Sequence, residues 1–506
     1  MRRVSPWFAI FYRRRFDLRG DSCIIERHLA PPEAASAGRR CDHRRPFVSE
    51  LFSRARAGAA RMLRRMRPAQ IIVIVFALLV LAGALILTLP VSSSAGQKTG
   101  FLDCLFTAAS ATCVTGLTVV ETGLHWSVFG QWVILILIQI GGMGFMSIAA
   151  IFYMVLRQKI GLKKRMLLAQ ALSMDSMGGI VSMVRNVVLG TLAVEGVGAA
   201  LLTVRFCSRF SFTHALRCGV FHAVSAFCNA GFDILADVDA GGSLSAYAAD
   251  PLVNLVIMAL IVIGGLGFFV WGDIRKNRRF SKLSVYTRMV LVISGVLIFG
   301  GAALFAVLEW DNPATIGNMD TGAKLLCVLF QSVTTRTAGF FTFSQAGMTD
   351  ASKAVSDVLM FVGGSSGSTA GGLKTVTLGV TVLSAIAAAR GRTRVSVWRH
   401  TIAGEQISQA YALFALMFAL SLAGAVYISA ANGCRMTDAV YETVSAIATV
   451  GLTAGLTPSL NAASHVILII FMFFGRVGIM TISVGFLTAG RAEERFTYAP
   501  ARMMIG

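Results

Sequence analysis

The sequence predicts an all-α polytopic membrane protein in which four parallel repeats surround a pseudo-fourfold central axis. Each repeat is a transmembrane helix, a short re-entrant helix with its following loop, and a second transmembrane helix. Three observations predict this. The 506 residues are 55% hydrophobic and 14% charged, with mean hydropathy +0.70, which lies outside the balance of soluble domains. Lys and Arg gather after every second apolar stretch. Four short segments of one pattern fall between the paired stretches.

The chain opens with residues 1–67, which hold 17 Lys plus Arg against 6 Asp plus Glu and no apolar run. This is the composition of a basic, disordered cytoplasmic arm that touches anionic lipid rather than nucleic acid. Eight apolar stretches follow, at about 71–89, 132–156, 186–204, 252–271, 289–308, 355–388, 410–430 and 466–487. Each is near the roughly 20 residues that a helix needs to cross the hydrocarbon core. Basic clusters at Arg157, Lys159, Lys163, Lys164 and Arg165, at Arg275, Lys276, Arg278, Arg279 and Lys282, and at Arg390, Arg392, Arg394 and Arg399 mark the cytoplasmic side. Glu121, Asp233, Asp237, Asp239, Asp311 and Asp350 fall on the other side, while Arg205, Arg209 and Arg217 run against the trend. Both termini therefore read as cytoplasmic. The nine Cys show neither a CxxC pair nor metal-ligand spacing.

The four matching segments are FTAASATCVTGL from Phe106, FHAVSAFCNAGF from Phe221, FQSVTTRTAGF from Phe330 and YETVSAIATVGL from Tyr441. Each is too short to cross a membrane and closes on a glycine, Gly116, Gly231, Gly339 or Gly451, followed by Leu or Phe. The third is one residue shorter, so its local backbone is expected to differ. Each unit starts and ends on the same side, so the copies are parallel, related by an axis along the membrane normal. The units run 68–165, 166–282, 283–400 and 401–490, with a cytoplasmic tail at 491–506. Irregular backbone at membrane depth is tolerated only when buried in protein or lining a wet cavity. Four such segments around one axis make a pore.

A pore helix followed by an extended stretch turns backbone carbonyls toward the axis, where they replace an ion's water shell. Glycine permits the φ values this demands. The expected filter is Val114, Thr115 and Gly116; Asn229, Ala230 and Gly231; Thr337, Ala338 and Gly339; and Thr449, Val450 and Gly451.

The stretch FVGGSSGSTAGGLKT interrupts the sixth apolar run. Glycine costs a helix up to about 1 kcal/mol per residue, so Gly363, Gly364, Ser365, Ser366, Gly367, Ser368, Thr369, Ala370, Gly371 and Gly372 together predict a loop, with helix resuming after Lys374. A polar loop in a wet pore reads as a gate; a tightly packed kink is the plainer alternative. The same run contains a GxSG pattern suited to a serine nucleophile. A nucleophile needs a base, none of the seven His lies clearly mid-span, and the chain is not expected to be an enzyme. Three ionisable residues in apolar surroundings call for a reason. Glu195 reads as an interhelical hydrogen bond, with a place on the ion path as the alternative; Glu442 reads as an acid opening the fourth pore helix, where it also attracts cations to the mouth; and Arg476 is the least explicable by packing.

The chain resembles the Trk/Ktr/HKT superfamily of potassium transporters over about residues 68–490. The resemblance is carried by SATCVTGL, QIGGMGF, NAGFD, GGLGF, TTRTAGF, GGSSGSTAGG and ATVGLTAGLT. Eight spans without an extra N-terminal pair look like the bacterial Ktr-type pore subunit, although the long basic arm departs from the usual short tail. The resemblance implies potassium uptake across the plasma (inner) membrane, with potassium as substrate at the filter and no cofactor bound by this chain. It also implies a homodimer, a cytosolic ring of nucleotide-binding regulatory subunits of the Ktr and Trk type, and Arg476 in the cavity under the filter. It leaves open whether sodium is coupled to transport. A sodium-preferring or weakly selective member of the same superfamily is the alternative.

Overall fold

The computed structural model describes residues 68–144, 180–235, 242–392 and 394–478. The basic arm, the cluster from Arg157 to Arg165 and the tail 491–506 lie outside the described residues.

Repeat 1 begins with α1 (Pro68–Leu87). Its Phe76, Val80, Ala84 and Leu87 are buried while Leu78, Leu81 and Leu85 are exposed, so one face meets protein and the other is left for lipid. The re-entrant helix α2 (Phe101–Cys113) has 13 residues, about 20 Å of helix, too little to cross. The chain turns outward and re-enters as α3 (Val128–Met143), whose N-cap Ser127 accepts the Gly130 N–H at 3.2 Å. Repeat 2 has α4 (Ile180–Phe206), α5 (Phe212–Cys228), α6 (Pro251–Leu266) and α7 (Phe268–Lys276). Asp250 caps α6 by accepting from Leu252 and Val253, with Pro251 in the first turn. Repeat 3 has α8 (Val285–Glu309), α9 (Thr321–Thr334), α10 (Asp350–Phe361) and α11 (Thr375–Ala389), followed by the two-stranded hairpin β1 (Ser396–Val397) and β2 (His400–Thr401). Repeat 4 has α12 (Gly404–Asn432), α13 (Met436–Ile447) and α14 (Ala462–Val477).

Packing closes these elements into a ring. Within each repeat the first helix lies on its own pore helix: α1 on α2, α4 on α5, α8 on α9 and α12 on α13. Each second helix then packs on the pore helix of the next repeat: α3 on α5, α6 on α9, α10 on α13, and α14 back on α2. The last contact returns to the first repeat, as four parallel copies around one axis require.

The eight expected spans are corrected in one respect. The first helices α1, α4, α8 and α12 are long and apolar enough to cross a membrane alone; the later parts of the stretches 132–156 and 466–487 lie outside the described residues. The stretch 252–271, expected as one helix, is two, bent by 90° at Gly267. A Gly-x-x-Gly pattern causes this. Gly144, Gly267 and Gly478 have φ of 76°, 90° and 90° and end α3, α6 and α14, in the left-handed region where a side chain would be strained. Three residues earlier, a Cβ on Gly141, Gly264 or Gly475 would run into the carbonyl of Thr112, Phe227 or Ile447 near the end of a pore helix. Arg205, which runs against the charge trend, is paired with Asp250 at 2.5 Å, and Arg209 stacks on the Tyr247 ring at 4.8 Å.

Candidate functional site: the glycine ring and the loop beneath it

The four predicted filter segments come together. Two residues before each glycine the backbone enters the left-handed region, with φ of 58° at Val114, 60° at Asn229, 63° at Thr337 and 53° at Thr449. Three of these are β-branched, for which positive φ is a true outlier; such strain persists only where the surroundings enforce it. The glycines follow with φ of 99°, 68°, 84° and 92° at Gly116, Gly231, Gly339 and Gly451.

What enforces the turn is the fifth residue of each aligned segment. The backbone carbonyls of Ser110, Ser225, Thr334 and Ser445 accept from the N–H of Thr115, Ala230, Ala338 and Val450 at 2.8, 2.7, 2.9 and 2.8 Å. The same residues bond again through their hydroxyls. Ser110 and Ser445 accept from the N–H of Gly116 and Gly451 at 3.0 and 3.1 Å. Ser225 and Thr334 instead donate to the carbonyls of Phe232 and Phe340 at 2.8 and 2.5 Å. The shorter third segment differs locally, since its N–H···O bond closes on the fourth residue rather than the fifth, yet it recovers the same φ at Thr337. These four hydroxyls were not singled out from the sequence, although their identical place in all four segments was the available signal.

The glycines meet around the axis in chain order. A Cβ on Gly116 would lie 2.5 Å from the Ala230 carbonyl oxygen, on Gly231 2.7 Å from that of Ala338, and on Gly339 2.6 Å from that of Val450. On Gly451 it would strike the carbonyl of Thr115. Each glycine thus faces the carbonyl of the next repeat, and the cycle closes.

The Gly/Ser run forms the expected loop, between α10 and α11. Val362 bridges Leu373 in parallel register, and the Gly363 N–H donates to Leu373 O at 2.9 Å. Beyond this neck the loop caps α6, whose last carbonyls would otherwise lack partners. The N–H of Ser365 and of Thr369 donate to Gly265 O and Gly264 O at 3.1 and 3.4 Å, and the Ser365 hydroxyl donates to Leu266 O. The Thr369 hydroxyl reaches Phe227 O and the Asn229 side chain, each at 3.1 Å. A Cβ on Gly371 or Gly372 would press on Thr449 or Ala448. Gly367 O accepts from the Phe268 N–H at 3.0 Å, and Ser366 O from the Tyr286 hydroxyl at 2.8 Å. Ser368 closes a turn onto Ser365 O at 2.7 Å. Lys374 folds back on its own loop, donating to Ala370 O at 2.8 Å and Gly371 O at 3.3 Å.

Arg476 joins this loop to repeat 1. Its guanidinium donates to Thr369 O, to Gly141 O at 2.5 Å and to Gly142 O at 2.8 Å. A cation is well placed on the C-terminal carbonyls of α3. Among the described residues no carboxylate forms an ion pair with it; the two ion pairs found there are Arg205 with Asp250 and Lys353 with Asp438. Arg336, in the third segment, was passed over in the sequence. It is buried one residue before Thr337 and donates to the Thr375 hydroxyl at 3.3 Å.

Glu195 makes the interhelical link expected of it, accepting from Gln139 of α3 at 3.1 Å and from the Cys228 thiol of α5 at 3.9 Å. Glu442 is a correction. It does not open its helix, which starts six residues earlier at Met436. Its carboxylate accepts from the hydroxyls of Thr453 and Thr457, each at 2.5 Å, and from the Ala454 N–H at 3.1 Å. The first-turn acid is Asp438, paired with Lys353 at 2.7 Å.

A closed ring of four re-entrant segments enclosed by membrane-crossing helices defines a multi-pass membrane transport protein rather than an enzyme. Residues 51–494 match the TrkH family of cation transport proteins, and the chain belongs to that family. It is 38% identical over 451 residues to the potassium/sodium uptake protein NtpJ of Enterococcus hirae, covering 88% of this chain and 99% of that one. It is 40% identical over 434 residues to the Ktr system potassium uptake protein B of Bacillus subtilis, covering 85% and 96%. The crystal structure of the potassium transporter TrkH from Vibrio parahaemolyticus is similar in fold, with a TM-score of 0.65 at 18% identity over 87% of this chain and 90% of that one. The serine-nucleophile reading of the Gly364–Gly367 stretch falls with this assignment.

Proposed function

We propose that the chain takes up potassium across the plasma (inner) membrane through a filter lined by the carbonyls of residues 114–116, 229–231, 337–339 and 449–451. The observation that carries the reading is the cyclic contact of Gly116, Gly231, Gly339 and Gly451, each against the carbonyl of the next repeat. Because a residue without a side chain stands at each of these contacts, backbone carbonyl oxygens are the groups offered to replace an ion's water. The relatives named for potassium uptake, matched over most of both chains, support potassium as substrate.

The loop 363–372 with Lys374 and Arg476 is the gate in this reading. It is supported by the loop's bonds to the break in α6 and to the side chain of Asn229, and by Arg476, which holds both Thr369 O of the loop and the end of α3. The protein works as a homodimer with cytoplasmic termini, regulated by a cytosolic nucleotide-binding ring. The similarity to a Ktr system pore protein supports that partnership. A sodium-conducting mode is the second reading, favoured by the potassium/sodium name of the relative NtpJ.

Uptake by a strain lacking its own potassium systems, with sodium varied, tests the function. Gly116→Ser is expected to lower the potassium-to-sodium flux ratio, because the added Cβ meets the Ala230 carbonyl and the residue must keep φ of 99°. An unchanged ratio removes Gly116 from the filter.

A further inference from the structure

The second residue of each aligned segment is polar: Thr107, His222, Gln331 and Glu442. All four are buried, and they behave as two pairs. Gln331 exchanges reciprocal amide hydrogen bonds with Gln345 on the strand leaving Gly339, at 2.7 and 3.1 Å. Gln345 also donates to Phe343 O at 3.0 Å, and its oxygen accepts from the Tyr441 hydroxyl of the next pore helix at 2.9 Å. Glu442, beside Tyr441, holds Thr453, Ala454 and Thr457 on the irregular segment leaving Gly451. In repeats 1 and 2 nothing equivalent occurs among the described residues. The Thr107 hydroxyl and His222 Nε2 have no hydrogen-bond partner, and His222 Nδ1 engages Cys218 O of its own helix at 2.7 Å.

We infer that Gln331, Tyr441 and Glu442 are positioning residues for ion selection, bracing from behind the segments that leave the glycines of repeats 3 and 4. The assignment rests on the glycine ring being the ion filter. Selection between cations that differ in radius by a fraction of an ångström requires that carbonyls not follow the smaller ion inward. Resistance to that movement comes from the groups behind the strand. A fully satisfied, buried polar network is stiff because each bond polarises the next and no member can leave without orphaning its partner. Tyr441 ties pore helix α13, which also carries Glu442, to the segment leaving Gly339 in repeat 3. In the other three segments the same position is Phe106, Phe221 or Phe330, which carries no hydroxyl.

The test is the potassium-to-sodium flux ratio of purified protein in liposomes, with folded amount and thermal stability measured alongside. Gln331→Met with Gln345→Met replaces both amides by unbranched apolar side chains, so that neither is left unpaired against the other. That double variant and Glu442→Gln are expected to lower the ratio several-fold, and Tyr441→Phe by less. Thr107→Val, which removes a hydroxyl without a partner, is expected to leave it unchanged. An unchanged ratio in the double variant and in Glu442→Gln overturns the brace, as does an equal fall in Thr107→Val. If the double variant does not fold, Tyr441→Phe decides: a lowered ratio supports the brace and an unchanged one overturns it. Gly116→Ser separates this from the filter assignment. A fall there with no fall in the brace variants defeats the brace alone, and no fall there defeats the filter itself.

Discussion

The second helices of repeats 2 and 3 are interrupted at the same place by different means. In repeat 2 one glycine, Gly267, turns the chain by 90° and the helix restarts at Phe268. In repeat 3 the helix stops at Phe361 and resumes only at Thr375. The single-residue break frees few backbone groups. The long break frees the thirteen residues 362–374, whose donors and acceptors are met largely from outside: by the end of α6, by Tyr286 of α8, and by Arg476 of α14, which also holds the end of α3. The contrast teaches that in both repeats the helix must break beside the glycine ring, whereas the length of the break decides whether it becomes a separate element. The loop is thus held by bonds to other elements rather than by a helix of its own.

Making repeat 3 resemble repeat 2 is the most forceful way to break that comparison. Deleting residues 365–370 leaves the neck between Val362 and Leu373 but removes the groups that reach α6, Phe227 and Arg476. The expected outcome is the largest rise in basal flux per molecule of any change here, with weaker dependence on the regulatory partner. Flux lost from normally folded protein would show the loop to be a structural kink.

Arg476→Ala keeps the loop but removes its tie to repeat 1. A charge-assisted hydrogen bond contributes about 1.5–3 kcal/mol, so losing the one to Thr369 O favours release by roughly tenfold or more. In the proposed gate, a cation about 6 Å from the ion path would repel a passing ion by on the order of 3 kcal/mol at an effective dielectric near 20, and its removal would lift that barrier. Flux measured on monodisperse transporter is therefore expected to rise. Arg476→Lys is expected to change it less, because the charge remains while the forked donor geometry is lost. Equal or lower flux in the alanine variant would refute the barrier.

The smallest change sharpens the comparison from the repeat 2 side. A Cβ on Gly267 would lie 2.5 Å from Ser365 Oγ, at a φ of 90°. Gly267→Ala carries about 1–2 kcal/mol of backbone strain and pushes on the loop where it caps α6. A modest rise in basal flux is expected, with a lowered melting temperature. Gly272→Ala, in the same helical segment but facing open space, is expected to alter neither, and equal effects from both would show that α7, not the loop contact, responds.

Much of this architecture is local in origin and so was legible in the chain. Apolar length marks the spans, and small residues before a glycine mark the turn out of each pore helix. The run of Gly and Ser from Gly363 to Gly372 marks the break: the helix resumes after Lys374 as expected and stops at Phe361, one residue before the run would require. Glu442 shows the opposite case: the apolar onset at Tyr441 suggested a helix start, but α13 begins in the more polar residues from Met436, and the acid sits mid-helix, serving the return strand. Spacing along a chain cannot reveal which carbonyl an acid, an amide or a guanidinium will reach across the axis.

The sequence by itself determined that four units of one kind cross a membrane together, because hydrophobic length, basic clustering and repetition are properties of order along the chain. Only the tertiary structure decided that each glycine packs on the carbonyl of the next repeat, that Arg476 spans from α14 to the end of α3, and that the loop of repeat 3 caps the broken helix of repeat 2. The physical reason is that these are satisfactions of backbone groups freed where helices end. Such groups take whatever donor or acceptor the closed ring brings within about 3 Å, regardless of distance in sequence.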